Sequence, residues 1–368
     1  MELIIPEKEK RKDAILRHPH PELFQGMDDE QADRIYRFFF YTPSRIPARG
    51  TVVSSLKTRV LKLRNGSDRK KPWNMELVIE PYIGCTHACL YCPVKSRLKP
   101  GEEPRPFTGR SGRADGFARS LRQDLRDLEF LAPPPMPVFM SLESDPLQTG
   151  LEEKVGVTER TLKDLAARKD RFSRITIRTK NPKALLLENK TYLDSLDSFD
   201  EVVIELNASF GSEELRRAWE PGAPVIEDRF DALQRLKEHG FDVILRIEPL
   251  LPLEPLSVLW FKHKTYEKLG CPLSGPRSND MEALLNMAAK YGCNEVALVP
   301  AYLPCGHGAK SVQRKVLAPL FRRRDGKFLQ QAGAFRLPRE YLDTRLLPAI
   351  EKIADRNEIR VVRTIDDR

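Results

Sequence analysis

Six short apolar runs, separated by stretches with helical periodicity, constrain this chain more than any other feature. The runs fall at 76–80, 137–141, 174–178, 201–206, 242–247 and 295–299. Each has strand length and is rich in Val, Ile, Leu or Phe, as expected for strands buried in a parallel sheet. The intervals carry one-sided apolar faces. Phe117, Leu121, Leu125 and Leu128 recur at helical spacing. Phe230, Leu233 and Leu236 do the same ahead of Gly240, and Leu284, Leu285 and Ala288 ahead of Gly292, where glycine suits the left-handed residue that ends a helix. Such alternation requires right-handed crossovers and a parallel sheet, either an α/β barrel, complete or incomplete, or a doubly wound sheet. Both architectures gather their chemistry at the carboxyl ends of the strands.

The first run is followed by Glu80-Pro-Tyr-Ile-Gly-Cys85-Thr-His-Ala-Cys89-Leu-Tyr-Cys92-Pro, a C-x3-C-x2-C spacing that gathers three of the chain's six cysteines within eight residues. Three thiolates on one loop can hold three irons of a [4Fe–4S] cluster and leave the fourth open to an exogenous ligand. A structural zinc site is the competing reading, but it wants four ligands, usually in two pairs. His87 is too close in sequence to be a comfortable fourth, and Cys271, Cys293 and Cys305 form no second C-x2-C. Chance clustering of buried thiols is the third alternative.

The spacing, the aromatic Tyr91 before the last cysteine and the position after the first strand resemble the radical S-adenosylmethionine (SAM) superfamily. The resemblance implies an incomplete (β/α)6 barrel, of TIM-like type. It also implies a [4Fe–4S] cluster on Cys85, Cys89 and Cys92, SAM bound at the open iron, and reductive cleavage of SAM to a 5′-deoxyadenosyl radical that abstracts a substrate hydrogen. Further segments between residues 52 and 252 are similar to the spore photoproduct lyase-like branch. They are Glu80-Pro-Tyr-Ile-Gly-Cys85, Ser144-Asp145-Pro146, Thr179-Lys180-Asn181, Glu220-Pro-Gly-Ala-Pro224 with Arg229, and Arg246-Ile-Glu248-Pro249. By that likeness Tyr91 contacts the adenine, Lys180 lies near the SAM carboxylate, and Ser144 and Asp145 stand where the amino group is held. Arg246 and Glu248, at a strand exit, and Asn207, within reach of the ribose, complete the expected cofactor set, since SAM offers an ammonium, a carboxylate and a diol. No catalytic residue is assigned. The segment Ser141-Leu-Glu-Ser144 departs from the branch in holding no cysteine, so thymine-dimer chemistry is not implied. Cys293, just before the sixth run, reads as a core residue, and a catalytic or auxiliary-cluster role is open for Cys271, Cys293 and Cys305.

The expected organisation is a basic extension over 1–72, a core over 73–300 and a cap over 301–368, with a polar helix near 28–39, a helix over 346–357 and a strand over 359–363. The formal net charge is +9, and the window from Arg45 to Lys71 holds nine Lys/Arg against Asp68 alone. That excess suits a polyanion, so a nucleic-acid substrate is one expectation and a peptide or small metabolite the other. A non-catalytic, metal-stabilised nucleic-acid-binding protein is the reading of a different class. Reduction of the cluster calls for a donor such as flavodoxin or ferredoxin. The sequence contains no apolar run near the ~20 residues needed to cross a bilayer and its first residues hold no leader-like apolar stretch, so the expected partners include no membrane and the expected compartment is cytoplasmic.

Overall fold

The computed structural model describes chiefly residues 60–65, 75–92, 101–107, 116–131, 135–253, 276–304 and 330–363, with short gaps and a few isolated positions besides. Nine strands make one sheet: β1 Val53–Ser54, β2 Lys62–Asn65, β3 Met75–Ile79, β4 Met136–Met140, β5 Phe172–Thr179, β6 Val202–Asn207, β7 Asp242–Leu250, β8 Glu295–Pro300 and β9 Arg360–Arg363. Their spatial order is their chain order. The first two pairings are antiparallel, and every pairing from β3 to β9 is parallel.

That order decides between the two architectures. A sheet whose neighbours follow chain order has no switch point, so each right-handed crossover lays its helix on the same face. The helices are α1 Gly116–Leu131, α2 Leu151–Val155, α3 Val157–Ala166, α4 Tyr192–Leu196, α5 Glu213–Trp219, α6 Ile226–Glu238, α7 Ser278–Lys290 and α8 Leu347–Arg356. Ile175 and Ile177 of β5 and Leu245 and Ile247 of β7 join Leu125 of α1, Leu165 of α3, Leu236 of α6 and Ile350 of α8 in one buried apolar cluster. The intervening residues of the same strands turn to the opposite face and are largely polar: Arg174, Thr176 and Arg178 on β5, Glu205 and Asn207 on β6, Arg246 and Glu248 on β7. The parallel strands thus form an arc with helices outside and a charged inner wall, a partial TIM-like barrel rather than a doubly wound sheet.

All six expected strands are present, within a few residues of their expected bounds. A seventh joins them: residues 360–363, expected in the cap, pair in parallel with β8 from Glu295↔Arg360 to Leu298↔Arg363. The long stretch between β8 and α8 hides this last strand–helix repeat from a reading of periodicity. Within the basic extension, β2 pairs with β3, and the buried Val60 and Leu61 donate their N–H groups to Asp124 of α1 at 2.7 and 2.9 Å. Most of that extension, including nearly all of the helix expected at 28–39, lies outside the described residues, as do Cys271 and Cys305.

Candidate active site

The three clustered cysteines follow β3 directly, at the carboxyl end of the first parallel strand. Ala88, between Cys85 and Cys89, holds φ at 51°, a left-handed conformation that a non-glycine residue adopts only when its surroundings impose it. Three neighbours impose it. Thr86 N–H donates to Gln148 at 2.9 Å. Leu90 N–H donates to the Trp219 carbonyl at 2.9 Å, and the His87 carbonyl accepts from Gly222 N–H at 3.0 Å. Gly222 approaches so closely that a Cβ there would lie 2.3 Å from the Thr86 carbonyl oxygen. The loop is thus clamped between the β4 exit and the segment after α5.

Cys89 is buried, and Cys85 and Cys92 are half-buried. Burial pushes the Cys92 thiol up to about 12 and raises Cys89 as well; Cys85 adds to the rise at both, and Cys92 adds to it at Cys89. Bare thiolates are therefore unfavourable here, and bound metal is what would draw their protons off. Among the described residues no three His, Cys, Asp or Glu side chains converge closely enough to hold a single metal ion. A four-iron cluster gives each thiolate its own iron and so does not require three donors on one ion. The donor set fits the cluster. His87 is buried and turned toward the β4 exit, with Nδ1 3.4 Å from Asp145 and Nε2 3.3 Å from the Thr149 hydroxyl. Burial opposes charge on this imidazole, but Cys85 and Asp145 outweigh it and hold its pKa up at about 10.

The residues expected around SAM separate into two groups. Asp145 is committed to the protein: one oxygen accepts from Leu147 N–H at 2.9 Å and the Thr179 hydroxyl at 2.8 Å, the other from Lys180 N–H at 2.6 Å. Ser144 is buried, its hydroxyl 3.0 Å from that of Ser141, which in turn donates to Glu80 at 2.9 Å. Glu80 also accepts from Leu142 and Glu143 N–H at 2.5 and 3.2 Å. Asp145 and Glu80 therefore tie the exits of β3, β4 and β5 together.

Lys180, Asn207, Tyr91, Arg246 and Glu248 lie on or beside the inner wall. The Lys180 ammonium is 2.7 Å from Glu220, 3.2 Å from the Asn207 side-chain oxygen and 5.4 Å from the Tyr91 ring centre. Tyr91 donates its hydroxyl to the same Glu220 oxygen, and Arg229 pairs with the other at 2.8 Å. Trp219 stacks on Phe210 beside Tyr91 and walls this polar knot from solvent. Deeper in the arc Arg178 bonds Glu205 at 2.8 Å and Glu248 at 3.1 Å, while Arg246 bonds Glu248 at 2.6 Å. Cys293, apart from all this, is buried with its sulfur 3.4 Å from the Glu295 carbonyl, as its core reading expects.

Among the charged residues of these networks, Glu80, Arg178, Glu205, Glu220 and Arg229 had no role assigned from the sequence. The signal for two of them was present as a polar residue at every second position of an apolar run, most plainly in Arg174-Ile-Thr-Ile-Arg178-Thr-Lys180.

Residues 79–256 match the model of the radical SAM superfamily. An uncharacterized protein of Methanocaldococcus jannaschii, MJ0683, is 26% identical over 202 residues, which cover 53% of this chain and 69% of that protein. Among solved structures, spore photoproduct lyase complexed with dinucleoside spore photoproduct superposes with a TM-score of 0.51 at 13% identity, covering 82% of this chain and 79% of that one. A mutant of spore photoproduct lyase with the same dinucleoside gives a TM-score of 0.52 at 14% identity over the same shares. At such identities the likeness speaks for the fold.

Proposed function

Starting from a chain that carries a radical SAM domain and is an enzyme of that superfamily, we propose that it cleaves SAM reductively at a cluster held by Cys85, Cys89 and Cys92 and directs the resulting chemistry at a nucleic acid. The observation that carries the first half is the clamped three-cysteine loop at the carboxyl end of β3, the first parallel strand of an arc whose inner wall is charged. When bound, the cluster would supply one electron to the sulfonium of SAM and so generate the 5′-deoxyadenosyl radical. The chain's own residues bind and orient. Lys180 presents an ammonium suited to the SAM carboxylate, Asn207 an amide suited to a ribose hydroxyl, and Tyr91 an aromatic edge for adenine. Asp145, Ser144 and Glu80 fix the strand exits on which those groups stand. The paired charges of Arg178, Glu205, Arg246 and Glu248 form the wall that faces the substrate.

Two observations support a nucleic-acid substrate. The basic window of 45–71 includes β2, which runs beside β3 and hence beside the strand that delivers Cys85. The fold also resembles an enzyme that has been solved with a dinucleoside. Repair of a thymine dimer is not part of the proposal, because the β4 exit holds Ser141 and Ser144 bonded to Glu80 and no thiol.

Anaerobically purified protein, reduced with dithionite in the presence of SAM, should release methionine and 5′-deoxyadenosine. Iron-loaded protein that leaves SAM intact would refute the reading and return the chain to the non-catalytic binding class. Cleavage that neither DNA nor RNA stimulates, with neither bound at low salt, would instead move the substrate to a peptide or small metabolite.

A further inference from the structure

The buried trio Arg229–Glu220–Lys180 sits against the cysteine loop, yet binding and orientation of SAM use only its last member. Glu220 and Arg229 are almost wholly inaccessible, with side-chain exposures of 0% and 1%. One carboxylate in such a place needs one partner, and a second cation brings a further desolvation cost. Here Lys180 and Arg229 share Glu220 at 2.7 and 2.8 Å, one on each oxygen, so the trio keeps one net positive charge. Arg229 is held in turn by its Nε–H bond to the Pro224 carbonyl at 2.8 Å. Tyr91, the residue before Cys92, also bonds Glu220, and the Lys180 ammonium stands over its ring.

Resting on the cluster reading above, we propose that this trio sets how readily the cluster accepts its electron. Glu220 is the positioning residue that fixes Lys180 beside the loop, and Arg229 is the charge that keeps Glu220 from cancelling it. Uptake of one electron from a flavodoxin- or ferredoxin-class donor, itself oxidised by one electron, adds one negative charge behind the three thiolates. A fixed cation beside those thiols favours that step, and net charge near a cluster is one of the quantities that set its potential. Beside the loop, His87 and Asp145 add one charge of each sign, and on the wall Arg178, Arg246, Glu205 and Glu248 add two of each.

The test uses the full chain, reconstituted anaerobically, with iron counted and the midpoint followed through the electron-spin resonance of the reduced state. Glu220→Gln makes the trio more positive by one charge, and Arg229→Gln and Lys180→Gln each make it less positive by one. The expected result is a higher midpoint for Glu220→Gln and lower midpoints for the other two, each by about tenfold in the reduction equilibrium, or 59 mV for one electron. A merely structural brace would move all three in one direction, through loosening of the loop. Shifts of one sign, fully loaded variants with the wild-type midpoint, or loss of iron from all three would overturn the proposal. If Arg229→Gln alone fails to load, the opposed signs of the other two still decide. Wild-type chain that takes up no iron would sink the cluster reading itself, whereas a loaded wild type with indifferent variants sinks only this inference.

Discussion

Glu220 shows how a charge survives in a dry place. Burial by itself would push its carboxyl up, but Lys180 and then Arg229 outweigh that cost and hold it down at about 2. An unfolded chain titrates the same group near 4.3, so the stabilisation is complete above roughly that pH and is lost as pH falls from there toward 2. Urea midpoints of metal-free protein should therefore drop over that interval, and Glu220→Gln should flatten the drop. Parallel profiles for the two proteins would show that the ion trio adds nothing to acid stability. The cysteines make a different demand. Cys85→Ala, Cys89→Ala and Cys92→Ala should each abolish both bound iron and SAM cleavage, because each removes the thiolate of a separate iron. Full iron content and an unchanged cleavage rate in any one of them would strike that cysteine from the ligand set. These two kinds of residue were not equally legible. The three cysteines are local, all within eight positions, so their spacing alone announces a loop that can wrap a cluster. Glu220 meets partners 40 and 129 positions away in Lys180 and Tyr91, and nothing in the residues around it names either.

The elements that deliver these residues were visible as runs, but their faces were not. β5 was expected to be buried as a whole, yet Phe172, Ile175 and Ile177 enter the apolar cluster while Arg174 and Arg178 line the inner wall and pair with Glu76, Glu201 and Glu205. A strand in a doubly wound sheet has helices on both faces and tolerates few charges. A strand in an open arc has one wet face, and the alternation in β5 is its record. The connection after α5 matters more for the site than its length suggests, because Gly222 rests on the cysteine loop with no room for a side chain. Gly222→Ala would drive a Cβ to 2.3 Å from the backbone oxygen of Thr86, a contact that no rotamer change relieves. Overpacking of this kind costs about 1–3 kcal/mol, and here the strain falls on the loop that carries the three cysteines. The variant should melt at lower temperature and surrender iron to a chelator faster than wild type. A lower melting temperature with unchanged iron release would place the strain elsewhere, and the clamp would lose its role.

Across the whole molecule, the order of the strands turns a list of repeats into a site. Seven parallel strands in unbroken chain order carry their exits to one rim, so residues as distant in sequence as Cys85, Lys180, Asn207 and Arg246 serve the same mouth. Periodicity alone left the barrel and the doubly wound sheet both open, since each is built from the same repeat, and it read the strand at 359–363 as part of a cap, whereas β9 joins the parallel sheet beside β8. The charge distribution was legible from the start, and the structure adds one fact to it: the basic window passes through β2, which pairs with β3 from Lys62↔Val78 to Asn65↔Met75. A nucleic acid tracked by that window would therefore run alongside the strand that ends at the cysteine loop. Its affinity should fall steeply with salt, with log K against log salt sloping by about −0.7 to −0.9 for each phosphate neutralised. Exchanging Lys57, Arg59, Lys62 and Arg64 together for Gln should flatten that slope by up to four such increments. Iron content and SAM cleavage without substrate should stay at wild-type levels, since all four precede the strand and loop that carry Cys85, Cys89 and Cys92. Binding measured for DNA and for RNA across a salt series separates the outcomes. A slope indifferent to the four exchanges would detach the basic window from substrate binding, and absence of binding even at low salt would leave the inner wall to a small or peptidic substrate.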